Sequence, residues 1–120
     1  MAHFLLIAHH DARSPFNLTD DKQPVWDALD ALDAEMTVAG VIVFSRGVAD
    51  PEESSTLRFN AAGELQRSDG PFQELEHWFS GFWLIECDSR ADAESWGAKA
   101  ARAHRCDIEV RPLRPPPGDE

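Results

Sequence analysis

Two segments of this chain carry residue types that can move protons. His9-His10-Asp11 closes the apolar run at the start, and Asp69 stands in Ser68-Asp69-Gly70-Pro71-Phe72. An imidazole by itself titrates near pH 6.5, so it exchanges a proton at neutral pH, and a neighbouring carboxylate can orient it. A pair of His9 (or His10) with Asp69 therefore points to acid–base chemistry. A second reading gives the same residues no chemistry: an Asp before Gly-Pro stabilises its own turn, and the histidines bond locally.

The surroundings of Asp69 favour a fixed position. Pro71 has no amide donor and Gly70 admits backbone angles that other residues avoid, so neither helix nor paired strand continues through them. Phe82 to Cys87 then reads as a strand buried on both faces. The turn thus feeds a buried strand and holds Asp69 at the mouth of a sheet. Phe72, Phe82 and Trp83 are the candidates to wall a pocket for a small, flat organic molecule. Glu86, between apolar neighbours, needs a partner such as His3 or Arg111, either as a second polar group of the cavity or as a structural ion pair.

Metal chemistry is not expected. His9, His10 and Asp11 are ligand types, but adjacent strand residues point to opposite faces, and no regular second motif accompanies them. Cys87 and Cys106 lack close-spaced partners and read as structural thiols rather than a disulfide. His77 and His104 fall on or near exposed helical segments and are assigned no role. Asp27, Asp30 and Asp33 read as the solvated face of a helix. No cofactor is expected.

The elements that position these residues follow from periodicity. His3 to Ala8 is a short buried strand. Pro24 suits a first helical turn, after which Val25, Ala28, Leu29, Leu32 and Met36 recur at helical spacing until Gly40. Val41 to Phe44 is a second strand. Thr56 to Asn60 and Glu64 to Arg67 form a hairpin around Ala61-Ala62-Gly63, and residues 72 to 80 hold a short helical turn. Ser89 with Asp92 resembles an N-cap pair, opening a helix with the small stripe Ala93, Trp96, Gly97, Ala100 and Ala103. Cys106 to Leu113 is the last strand. This order gives an α+β, ferredoxin-like antiparallel sheet with two helices on one face and an extra hairpin. The other face is also apolar, and a second copy of the chain, packed sheet to sheet, is the simplest cover.

Residues 1–113 are read as the domain and 114–120 as a Pro-rich flexible tail. A chain of 120 residues suits one domain. The net charge of −11 repels phosphate backbones and anionic membranes, so nucleic-acid and membrane partners are not expected. No apolar run approaches the roughly 18 residues of a membrane span, and a cytoplasmic location is expected.

Asp69-Gly70-Pro71-Phe72, Gly81-Phe82-Trp83-Leu84-Ile85-Glu86 and Glu109-Val110-Arg111-Pro112, in this order and spacing, resemble the YCII-related family and its DGPF-motif branch. Phe4-Leu5-Leu6-Ile7 and Ala39-Gly40-Val41 fit as well. The resemblance implies a dimeric α+β barrel with a His–Asp pair in a pocket, and a dehydrochlorinase of chlorinated aromatics looks like a relative. Two positions depart from the pattern: Glu76 stands where a lysine is usual, and His9-His10-Asp11 follows the first strand. The first argues against a lysine-dependent role and the second favours a histidine-based site. The expected function is binding of a small organic molecule, with cofactor-independent lyase- or isomerase-like catalysis by His9, His10 and Asp69. The competing class is a non-catalytic dimerising module.

Overall fold

A computed structural model describes residues 2–118 of the chain. Its element order is β1 (Ala2–Asp11), α1 (Gln23–Ala39), β2 (Ile42–Gly47), β3 (Ser55–Phe59), β4 (Leu65–Asp69), β5 (His77–Cys87), α2 (Arg90–His104) and β6 (Asp107–Pro112). Four strands form an antiparallel sheet in the order β2-β5-β1-β6, while β3 and β4 pair only with each other. The central strands are β1 and β5, the two most apolar segments. This is the ferredoxin-like α+β arrangement expected from the order of elements. The four-stranded sheet stays open within one chain, so no barrel closes there.

Alternation along β1 sorts the two faces. Phe4, Leu6, Ala8 and His10 are buried toward the helices. They meet Trp83, Ile85 and Cys87 of β5, Leu32 and Met36 of α1, and Ala93 and Ala100 of α2. The small stripe on α2 serves close packing, as a Cβ at Gly97 would sit 3.0 Å from a methyl of Val110. Ser89 caps α2 by accepting the Asp92 amide proton at 3.1 Å, and Gly40 ends α1 in the left-handed conformation.

One element differs from the sequence reading. The strand expected to begin at Phe82 begins at His77, where residues 72 to 80 were read as a helical turn. The reason is long-range: the end of β1 pairs His9 with Phe79, His10 with Trp78 and Asp11 with His77. Ser80 is an extra residue between the Ala8–Gly81 and His9–Phe79 pairs, a bulge that reverses the alternation. Phe79 consequently shares the open face with Phe82, their ring centroids 6.2 Å apart. The expected hairpin forms as β3 and β4 and projects from the four-stranded sheet. The Cα radius of gyration is 16.6 Å, against about 13.6 Å for a compact chain of this length. Leu57, Phe59 and Leu65 are exposed along the hairpin.

After β6 the Leu113 amide still bonds the His3 carbonyl at 2.9 Å, and no helix or strand follows through Gly118. Asp119 and Glu120, the end of the expected tail, lie outside the described residues.

Candidate active site

The two histidines at the end of β1 occupy different environments, as alternation requires. His9 lies on the open face and its Nε2 is 2.8 Å from Oε1 of Glu109 on β6. Glu109 also pairs with Arg111. The His9 hydrogen bond, then Arg111, hold the Glu109 carboxyl below its ordinary range, with burial acting weakly the other way. His77 meets the His9 ring edge-on at 6.0 Å.

His10 points under the helices and is only 3% exposed. Its Nε2 is 3.3 Å from Nε2 of His104, the last residue of α2. Around this pair stand Phe16, 4.9 Å from His10 and 5.2 Å from His104 between ring centroids, with Trp78 stacked at 6.4 Å on His10. Trp83 meets His104 edge-on at 6.2 Å. Burial lowers the affinity of both imidazoles for a proton: His104 falls to about 4, with His10 a secondary cause. For His10, burial outweighs the opposing influence of Asp11 and Asp107. Both rings are therefore neutral at pH 7, and neutral imidazoles accept protons or donate lone pairs.

The pair lines a cavity of about 590 Å³ on the helix side of the sheet. Phe16, Trp26, Trp78 and Trp83 give it aromatic walls, and Asp33 and Ser45 add polar groups. Asp33 is held by the Trp83 indole, which donates to its Oδ1 at 3.0 Å. The lining is mixed, since Asn17, Arg46 and Asp50 also border the cavity, so aromatic walls meet both acidic and basic groups.

The sequence-derived candidates are distributed as follows. Trp83 and His10 enter the cavity, and Phe82 contributes to its wall while its ring packs on Phe44 and Phe79 of the open face. Asp69 ends β4 and is ion-paired with Arg67 at 3.0 Å, its side chain 87% exposed. Among the described residues no hydrogen bond or ion pair joins Asp69 to His9 or His10. Phe72 is exposed beneath the Arg58 guanidinium, away from the helix-side cavity. Glu86 pairs with His3 at 2.9 Å at the far end of the sheet, while Arg111 turns to Glu109.

Two assignments are corrected. His104 is not a bland exposed position: it lies four residues beyond Ala100, on the stripe that packs α2 against the sheet. Asp33 is not simply part of a solvated face. It shares a helical face with Leu29 and Met36, and that spacing was the available signal. A third residue joins the imidazoles: the ligand-capable atoms of His10, His104 and Cys106 all lie within 4.8 Å of one another.

The strand order and the one-sided helices define a ferredoxin-like α+β protein with a cavity between sheet and helices. The chain belongs to the YCII-related family, whose domain model matches residues 1–115. It is also similar to an uncharacterised protein of Rhizobium meliloti (strain 1021), with 30% identity over 102 residues, covering 83% of this chain and 81% of that one. Among the described residues no helix is long and apolar enough to cross a membrane.

Proposed function

We propose that this chain binds a small, flat organic molecule in the helix-side cavity and transfers a proton to or from it, in the manner of a lyase or isomerase. One observation carries the reading: Phe16, Trp26, Trp78, Phe82 and Trp83 border a space that is also lined by two neutral imidazoles and Asp33. Flat aromatic walls favour planar ligands, and proton acceptors at one end favour a ligand with an acidic O–H or C–H there. In this reading the carboxylate of the site is Asp33 and not Asp69, because Asp33 lines the same cavity as the two imidazoles.

The reading includes a homodimer joined sheet to sheet. Register places Leu5 opposite Leu84 and Ile7 opposite Phe82, and the exposed rings of Phe44 and Phe79 continue that apolar strip on the face without helices. The slab is only 18 Å thick, so this face has no second layer of its own. A dimer at micromolar concentration that becomes a monomer in Phe82→Glu protein is the expected result of sedimentation. Wild-type protein sedimenting as a monomer would remove this part of the reading.

Tryptophan fluorescence tests the ligand. Hydroxylated planar aromatics should quench it saturably in wild-type protein and at least ten-fold more weakly in Asp33→Ala protein. Binding without any turnover would leave a non-catalytic metabolite-binding module, and absence of binding across such a panel would contradict the proposal.

A further inference from the structure

We infer that His10, His104 and Cys106 form a binding site for a divalent zinc-like cation at the inner end of the helix-side cavity. The residues come from the end of β1, the end of α2 and the connection to β6, so the fold, and no local sequence motif, assembles them.

The geometry suits the ion. Two nitrogens each about 2.05 Å from a tetrahedral zinc lie about 3.3 Å apart, and the two Nε2 atoms are separated by 3.3 Å. Two imidazoles and a thiolate are the borderline-to-soft donors that zinc prefers over the hard cations. Three protein ligands leave a fourth position, and since His10 and His104 both line the cavity, that position faces it.

The polar groups here are otherwise poorly satisfied. The Nδ1 atoms of His10 and His104 are buried and have no hydrogen-bond partner among the described residues. The bond between the imidazoles is the only hydrogen bond to either ring among the described residues. A buried pair with so little support calls for a role beyond packing. Asp11 and Asp107 add negative charge close to His10, a field that favours a cation as it favours a proton. Burial, then Asp107, push the Cys106 thiol up to about 12, so the ion must displace its proton: the S–H bond breaks, the sulfur pair forms the bond to the metal, and the proton leaves to solvent.

This inference goes beyond the organic-ligand reading and does not depend on it. A bound ion would occupy the imidazole lone pairs and leave Asp33 as the proton acceptor of the cavity.

The test uses full-length protein stripped with a chelator and titrated with Co²⁺ alone, then Zn²⁺ alone. One Co²⁺ per chain should bind, with the intense visible bands of tetrahedral cobalt and a thiolate charge-transfer band in the near ultraviolet. Cys106→Ser should abolish the charge-transfer band, and His104→Gln should weaken Zn²⁺ binding at least ten-fold. His3→Gln should change neither. The chain has two cysteines, so Cys87→Ser decides the sulfur even if Cys106→Ser fails to fold: persistence of the band in that variant assigns it to Cys106. Loss of the band in Cys87→Ser, weak octahedral cobalt spectra, or no binding would overturn the inference.

Discussion

The Nε2 atoms of His10 and His104 face each other across 3.3 Å, joining the end of the first strand to the end of the last helix. The two residues are 94 positions apart in sequence, and both are neutral in this apolar setting because burial opposes the charged form. A neutral imidazole pair shares one proton between its facing nitrogens, so each ring is the other's partner.

Removing one ring should therefore harm the fold more than its size suggests. In chelator-treated protein, His104→Leu leaves His10 buried and unpaired, at about 1–3 kcal/mol. The double variant His10→Phe/His104→Leu should lose less than the two single variants combined, by about 0.5–3 kcal/mol of coupling. Urea unfolding of the four proteins measures this. Additive losses would mean that the rings do not depend on each other.

Asp33 and Trp83 make a second separable pair. Asp33→Ala deprives the Trp83 indole of its acceptor and should destabilise by about 1–3 kcal/mol. Asp33→Asn keeps a carbonyl oxygen in place and should lose less than half as much. Equal effects of the two variants in thermal unfolding would show that the indole does not rely on Asp33.

On the open face, Glu109 provides a pH readout. Its carboxyl is held below the ordinary 4.5, first by the His9 hydrogen bond and then by Arg111. The sign follows: an acid whose folded value is depressed contributes its full stabilisation above the unfolded value and loses it as pH falls through the folded one. Carbon-13 titration of the Glu109 carboxyl should give a midpoint below 4.5 in wild type. It should rise in His9→Ala while staying under 4.5, because Arg111 still acts. An unchanged midpoint would show that His9 contributes nothing to it.

Much of the fold was legible because local signals and the global arrangement agree. Helical spacing, Pro24, Gly40 and the Ser89 cap define α1 and α2, and the order of elements leads to the sheet. The start of β5 was hidden because residues 77–79 become a strand only through pairing with His9, His10 and Asp11, a contact with no local trace. The bulge at Ser80 then broke the alternation from which faces are read. At the site, the opposite directions of His9 and His10 follow from strand geometry alone. His104 and Asp33 carried only a faint signal, their spacing on the packed faces of α2 and α1, and the meeting of His104 and Cys106 with His10 is made by tertiary packing alone. Asp69 drew attention as a fixed turn carboxylate, and the projection of the hairpin that carries it is not encoded in the turn residues.

The most direct test of the account is a side-chain NMR map of the histidines and tryptophans while a planar hydroxylated aromatic is added. Ligand in the helix-side cavity should shift the imidazole signals of His10 and His104 and the indole signal of Trp83 in one saturable phase. The imidazole of His3, at the far end of the sheet, should not move. Saturable shifts confined to His9 and His77, with His10, His104 and Trp83 unmoved, would contradict the account and place the ligand on the open face.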